Sequence, residues 1–476
     1  MTQKNLSRRD FLKRLGIGSA AVGAALSGCT GSDEKQQARR LPPTGKMTYR
    51  TNPTTGDRVS LLGYGCMRWP TRPVGKEEDN KDEIDQEQVN RLVDYAIEHG
   101  VNYFDTSPAY SQGRSEAATG IALARHPRDS YYIATKLSNF APATWSREAG
   151  IHMYRESLRL LQTDYIDYML LHAIGMTAND AEGNALSGME AFEARYIENG
   201  LLDFLLAERE AGRIRNLGFS YHGDIEVFDR LLAEHDRYRW DFVQIQLNYV
   251  DWKYAKEINP LNTSGEYLYG ELQKRGIPAV IMEPLLGGRL ARVPEVVVPR
   301  MKAFRPDDSV ASWAFRYAGS PEGVLTVLSG MTYMEHLQDN LLSYAPLEPC
   351  TPEELDMLAD LARIFVDNQF IPCTRCQYCM PCPYGVDIPS IFAHYNRCID
   401  EGYYKHTSRD ADYVRARRAY LVGYDRSVPR LRQASHCIGC GQCTSHCPQR
   451  INIPGEMRRI DDYIEKLKQN LDFDRP

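Results

Sequence analysis

The chain has 476 residues, 43% apolar and 25% charged, which is ordinary for a globular protein and leaves room for two or three folded units. A net charge of -6 without any basic tract excludes a protein built to read phosphate backbones, so no nucleic-acid partner is expected. Of the twelve cysteines, eight fall in two tight runs and four (Cys29, Cys66, Cys350 and Cys398) are scattered, which is not the pattern of a disulfide framework.

In chain order, Ser7-Arg8-Arg9-Asp10-Phe11-Leu12-Lys13 is a twin-arginine export motif. The apolar stretch from Gly16 to Leu26 falls short of the about 20 residues that span a bilayer and suits the central region of a signal peptide. Residues 1–28 therefore read as a signal, and the mature protein is expected outside the cytoplasm. Leu26-Ser27-Gly28-Cys29 has the form of a lipoprotein cleavage box. Its alternatives are a lipid anchor on Cys29, the one expected membrane contact, or an ordinary cleavage site and a periplasmic protein. Residues 29–46, polar and with Pro42-Pro43, read as a linker.

From Met47 to Thr51 and from Val59 to Gly65 a strand–turn–strand pattern brackets Gly56-Asp57. Short apolar runs then alternate with longer helical patterns. The expected strands are Leu61–Gly65, Val101–Asp105, Tyr131–Lys136, Ile166–His172, Ile214–Phe219, Phe242–Gln246, Ala279–Met282 and Val324–Leu328. Helices are expected at Asp85–His99, Ser146–Leu161, Leu201–Ala211, Asp224–His235 and Asp307–Tyr317. Eight such units in residues 47–345 give an α/β fold, a (β/α)8 TIM barrel. A doubly wound sheet is disfavoured, because no G-x-G-x-x-G follows the first strand.

Thr351-Pro352-Glu353-Glu354 has a capping hydroxyl, a proline at the first helical position and a capping-box glutamate, so residues 346–370 read as a connecting helix. Residues 371–476 carry the two cysteine runs. Cys437, Cys440, Cys443 and Cys447 form C-x2-C-x2-C-x3-C before Pro448, and Cys373, Cys376, Cys379 and Cys382 precede Pro383. Eight thiolates at these spacings are what two [4Fe–4S] clusters need. Tetrahedral zinc is the alternative, and it would call for two separate C-x2-C pairs per site without the cysteine–proline ending. The segment between the runs, rich in Tyr, Arg and Ala, reads as two or three helices, so a mainly α-helical ferredoxin-like domain is expected. Cys66 and Cys398, outside both runs, read as small buried apolar residues.

In a TIM barrel the chemistry sits at the C-terminal ends of the strands. Asp105, Lys136 and His172 end the second, third and fourth expected strands, and Tyr110 follows Asp105 by five residues. An ammonium near a phenol favours its ionised form, a carboxylate can hold that ammonium, and an imidazole can orient a carbonyl oxygen. Asp105-Thr106-Ser107-x-x-Tyr110, followed by Ser115-Glu116 and Gly120, together with Lys136 and His172, resembles the aldo/keto reductases. The whole order of signal, barrel and two-cluster tail resembles the bacterial iron–sulfur-containing members, whose cluster signature is similar to the stretch from Cys373 to Val386.

The resemblance implies that Tyr110 is the general acid, Lys136 lowers its pKa, Asp105 holds Lys136 and His172 positions a small carbonyl or alcohol substrate. It further implies cofactor contacts at Ser220, Gln244, Glu283, Pro284, Leu285, Gly330, Asp339 and Asn340. Tyr221 stands where the family has Asn, and Gly330 and His336 stand where many members carry basic residues for a 2′-phosphate. NADP and NAD therefore both stay open, as does a barrel with a weakened cofactor site. By resemblance to two-cluster ferredoxins, Cys373, Cys376 and Cys379 pair with Cys447, and Cys437, Cys440 and Cys443 with Cys382. The first run has two residues instead of three before Cys382, which leaves that partner assignment open. Two functions follow: an exported oxidoreductase whose clusters serve a one-electron redox partner, or a non-catalytic electron-transfer protein whose barrel is a docking or ligand-binding scaffold.

Overall fold

A computed structural model describes residues 40–74, 81–293, 297–366, 370–405, 407–447, 449 and 451–470. The twin-arginine motif, Cys29, most of the expected linker and Pro448 lie outside the described residues.

Eight parallel strands close into a barrel: β1 (Leu62–Gly65), β2 (Tyr103–Asp105), β3 (Tyr132–Leu137), β4 (Ile166–Ile174), β5 (Ile214–Tyr221), β6 (Phe242–Gln246), β7 (Ala279–Met282) and β8 (Val324–Ser329). The runs are apolar almost throughout because each strand is covered on both faces. Tyr103, Tyr168, Phe242, Val280 and Leu325 fill the interior, and a larger apolar shell lies between strands and helices. Helices at Gln86–Glu98 and Arg147–Leu161 start one residue later than the sequence suggests, because Asp85 and Ser146 are caps: their side chains accept from Gln88 N and Ala149 N.

The expected strand Val59–Gly65 is divided. Arg58–Ser60 pairs antiparallel with Tyr49–Thr51, and Leu62–Gly65 enters the barrel as β1. The hairpin's Asn52 donates to Asn216 Oδ1 at 3.1 Å, near the start of β5, so the hairpin packs against the N-terminal end of the barrel and leaves the other end open.

The capping box at Thr351 is formed: Thr351 N donates to Glu354 Oε2 at 2.9 Å, and Glu354 N to Thr351 Oγ1 at 3.3 Å. Glu354 also pairs with buried Arg316 at 2.8 Å, which fastens the helix Pro352–Val366 to the barrel. Beyond it, helices Ile388–Asp400 and Tyr413–Ser427 lie between the cysteine runs, and Ile453–Gln469 follows the second run. The three share their own apolar core. This helical unit sits on the open end of the barrel: Arg68 donates to the Thr374 carbonyl, and Asn259 to the Gln449 carbonyl.

One close approach explains a glycine. A methyl group on Gly120, in the helix Ser115–Leu123, would run into the Leu160 carbonyl oxygen of the neighbouring helix. Gly120→Ala should cost about 1–3 kcal/mol, read as a lowered midpoint in urea unfolding. An unchanged midpoint would mean that the two helices part freely.

Candidate functional site

The C-terminal ends of the strands open into a cavity of ≈ 1070 Å³ with walls from both folded units. Asp105, Tyr110, Lys136 and His172 line it, as do Ser220, Gln244, Glu283, Pro284, Leu285, Gly330, Asp339 and Asn340. All twelve barrel positions singled out in the sequence are therefore brought together. The opposite wall includes Thr374, Arg375, Tyr378 and two of the cysteines, Cys373 and Cys376.

Asp105 is the last residue of β2, and Lys136 is the last but one of β3, which turns both toward the cavity. Lys136 Nζ donates to Asp105 Oδ1 at 2.6 Å and to the Thr106 carbonyl at 2.9 Å. Burial pushes the carboxyl up and the ammonium down, and each partner opposes that push on the other. Nζ also lies 4.7 Å from the centre of the Tyr110 ring. Tyr110 opens a turn in which Ser111 and Gln112 have φ of 49° and 57°, left-handed values that side chains rarely adopt.

The structure corrects one expectation. Lys136 does not bring Tyr110 below its ordinary pKa. Burial first, and then Asp105, Tyr378, Cys66 and Glu283, hold the phenol well above it. Tyr110 therefore carries its proton at neutral pH.

His172 stands inside β4, which runs on to Ile174. Leu171 pairs with Phe219 and Ile174 with Tyr221, so His172 and Ala173 together face the single residue Ser220 of β5. Ala173 has φ 52°, and its N–H donates to Ser220 Oγ at 2.8 Å. This bulge re-aims the imidazole at the cavity. Ser138 Oγ lies 2.6 Å from His172 Nδ1, and Ser107 Oγ 3.4 Å from it. Nδ1 is thus engaged on the protein side. Burial and the positive charges of Lys136 and Arg195 hold His172 well below its ordinary pKa, so the ring is neutral.

The positions expected to touch a cofactor divide into two groups. Asp339 accepts from Ser309 Oγ at 2.7 Å and Asn340 donates to Ser329 Oγ at 2.9 Å, so both are tied into the barrel. Glu283, at φ 55°, accepts from Gly287 N at 2.5 Å and shapes the loop after β7. Gln244 Oε1, by contrast, is buried without a hydrogen-bond partner among the described residues. The same is true of all three guanidinium nitrogens of Arg289, a residue the sequence reading missed. Its placement two residues past Gly287 in the β7 loop was the available signal. Arg289 lies 4.6 Å and 4.4 Å from the ring centres of Phe365 and Phe370, facing the cavity.

In the sequence, Tyr378 stands only as a residue between Cys376 and Cys379 of a cysteine motif. Its ring lies 6.0 Å from that of Phe140, which lies 4.9 Å from the His172 ring, itself 6.0 Å from that of Tyr110. An aromatic series therefore joins the cysteine loop to the barrel residues. At the neighbouring β7 loop, a methyl group on Gly287 would stand 2.7 Å from Thr374 Cα.

The cysteines form two groups. Cys373, Cys376, Cys379 and Cys447 surround one small cavity. Burial, and then the neighbouring thiols, push Cys373 up to about 12 and Cys376 up to about 11. Cys443 is raised to about 11, first by burial and then by the nearby Cys437, Cys382 and Cys440, which marks the second group. The described cysteines form no disulfide. Among the described residues no three Cys, His, Asp or Glu side chains converge as they would around one metal ion. Around a cubane each sulfur binds a different iron, so the four thiols of one cluster need not meet at a single point. Cys66 and Cys398 are buried, as expected of small apolar residues.

Residues 61–295 match the aldo/keto reductase family and residues 372–451 the 4Fe-4S dicluster domain. The chain is 27% identical over 320 residues to the uncharacterized oxidoreductase YqkF of Bacillus subtilis, covering 63% of this chain and 92% of that one. It is 24% identical over 319 residues to L-galactose dehydrogenase of Arabidopsis thaliana, covering 64% and 90%. Among solved structures, the aldo-keto reductase AKR11C1 from Bacillus halodurans in its holo form is 24% identical, covering 66% of this chain and 96% of that chain with a TM-score of 0.49.

The Lys136–Asp105 pair carries a stability consequence. Lys136→Met leaves a buried carboxylate without its counter-charge and should cost about 3–5 kcal/mol, whereas Lys136→Met with Asp105→Leu should recover most of that loss. Chemical denaturation of the three proteins reads both numbers; a single variant as stable as the parent would mean that the pair is solvated.

Proposed function

Because residues 61–295 form an aldo/keto reductase domain and residues 372–451 a 4Fe-4S dicluster domain, we propose that this oxidoreductase interconverts a small carbonyl compound and its alcohol at the barrel mouth, coupled to single-electron transfer through two clusters. The observation that carries the reading is the shared cavity, with Asp105, Tyr110, Lys136 and His172 on one wall and Cys373, Cys376 and Tyr378 on the other.

The chain's own residues divide the work. Tyr110, kept protonated, donates its proton to the carbonyl oxygen and takes one back in the alcohol direction. Lys136, held by Asp105, sits against the phenol ring and stabilises the negative charge that develops on its oxygen once the proton leaves. His172, neutral and engaged at Nδ1 by Ser138, directs Nε2 at the substrate oxygen and fixes its orientation. When bound, a nicotinamide supplies a hydride and the clusters supply single electrons.

The buried acceptor Gln244 Oε1 suits a carboxamide donor, and the unpartnered guanidinium of Arg289 suits a diphosphate. With Arg292 also on the cavity wall, these groups offer positive charge that Gly330 and His336 lack. Cys373, Cys376, Cys379 and Cys447 would hold one cluster, and Cys382, Cys437, Cys440 and Cys443 the other. We further propose export by the twin-arginine route with Cys29 as the lipid anchor point, on the order of the N-terminal residues alone.

The scaffold reading has one observation on its side: Thr374 presses against Gly287, which narrows the path of a dinucleotide along the β7 loop. Tyr110→Phe separates the two readings. With an aromatic aldehyde and NADPH, the variant should lose at least a hundredfold in turnover, while visible cluster absorbance and an iron content of about eight per chain stay unchanged. Turnover equal in variant and parent would remove Tyr110 from the chemistry, and no turnover in either would favour the scaffold.

A further inference from the structure

The two cysteine groups have opposite surroundings. Cys447, of the group against the barrel mouth, is buried, whereas Cys440, of the second group, is exposed. Around that second group three large apolar side chains stand in solvent: Leu431 is 80% exposed, Ile438 63% and Tyr384 47%. Isolated exposed apolar residues need no explanation, but a group of them around one feature does.

Backbone contacts hold these residues on one surface. Asp387 N donates to the Arg432 carbonyl at 2.9 Å, and Arg432 Nε lies 3.3 Å from the Gly385 carbonyl oxygen. His436 Nε2 is 3.1 Å from the Arg430 carbonyl, and Cys437 N donates to the Ala434 carbonyl at 2.9 Å. The loop carrying Tyr384, the turn Arg430–Arg432 and the loop from Cys437 to Cys440 are therefore one continuous rim.

The rim is basic. Arg426 and Arg430 are exposed and Arg432 is half-buried, and none of the three is in an ion pair among the described residues. Two carboxylates share the face and keep their charge, Asp425 accepting from Gln433 Nε2 at 3.0 Å and Asp387 capping a helix by accepting from Ser390 N at 3.3 Å, so the three guanidinium groups outnumber them by one. The chain as a whole carries a net charge of -6, so a local excess of guanidinium against its own background is a feature of this face. Arginine and aromatic side chains around an apolar centre are the composition of a protein-binding patch.

We propose that this rim is the docking surface for a small electron-carrier protein with an acidic face, which gives one electron at a time to the cluster of Cys382, Cys437, Cys440 and Cys443. The step is a bare electron transfer: the carrier is oxidised by one electron, the cluster is reduced by one, and no proton or bond moves. The inference deepens the proposed function and rests on it, since it needs clusters that carry electrons. The arginines steer the encounter and the apolar residues exclude water from the contact.

The test uses the full chain with both clusters in place and a chemically reduced flavodoxin of strongly negative net charge as the probe. Bleaching of the visible cluster absorbance in rapid mixing reads the rate. For the parent the rate should fall at least tenfold from low to high salt. Arg426→Glu with Arg430→Glu should lower the low-salt rate at least tenfold and flatten its salt dependence, and Leu431→Ser should lower the rate at both salt levels. Dithionite, a small reductant that needs no docking surface, should bleach all three proteins equally. A charge-reversed variant with full iron content that is reduced by flavodoxin as fast as the parent overturns the proposal alone. A parent protein without iron or acid-labile sulfide overturns it together with the reading beneath it.

Discussion

The loop from Cys373 to Tyr378 is pressed into the mouth of the barrel, and the rest of the architecture depends on that contact. Thr374 is held from two sides, by the Arg68 guanidinium at its carbonyl and by the bare backbone of Gly287 against its Cα. Tyr378 reaches across to Phe140. A cysteine loop on a freely hinged module would leave the strand ends open to water. Here the loop is a wall of the same cavity that Asp105, Tyr110, Lys136 and His172 line. The capping box at Thr351 and the buried pair of Arg316 and Glu354 fasten the helix that delivers it.

Enclosure sets the electrostatics. Burial lifts Tyr110 and lowers His172, so the phenol keeps its proton and the imidazole stays uncharged. Lys136 and Asp105 form a short buried ion pair beside the phenol. On the proposed function, such a site would give up a proton only as charge develops on the substrate oxygen, because only then is there a compensating interaction in a buried cavity. The same burial raises Cys373 and Cys376, and binding of the thiolates to iron would relieve it.

Much of this was legible in the residues. The eight strands are short apolar runs whose length and spacing admit few other folds, and caps such as Asp85, Ser146 and Thr351 announce their helices. The barrel residues could be read because their types recur at strand ends, and the cysteines because cluster spacing is a narrow code. What escaped lies between elements distant in sequence. Tyr378 reads as filler between two cysteines until the fold brings Phe140 beside it. Ser138 gives no signal until it meets His172 Nδ1. The division of the first expected strand at Leu61 follows from closing the barrel, which periodicity does not encode. A sequence states which charges surround Tyr110 but not how deeply its phenol is buried, and burial is the first cause of its raised pKa.

On the proposed function, the cluster that Cys373, Cys376, Cys379 and Cys447 would hold lies against the barrel mouth and senses what binds there. Electron paramagnetic resonance of the reduced protein, recorded with and without an aldehyde or alcohol ligand in the cavity, tests this most directly. The account predicts that the ligand shifts the signal of that one cluster and leaves the other, exposed cluster unchanged. Two signals indifferent to a ligand that demonstrably binds the barrel would contradict it.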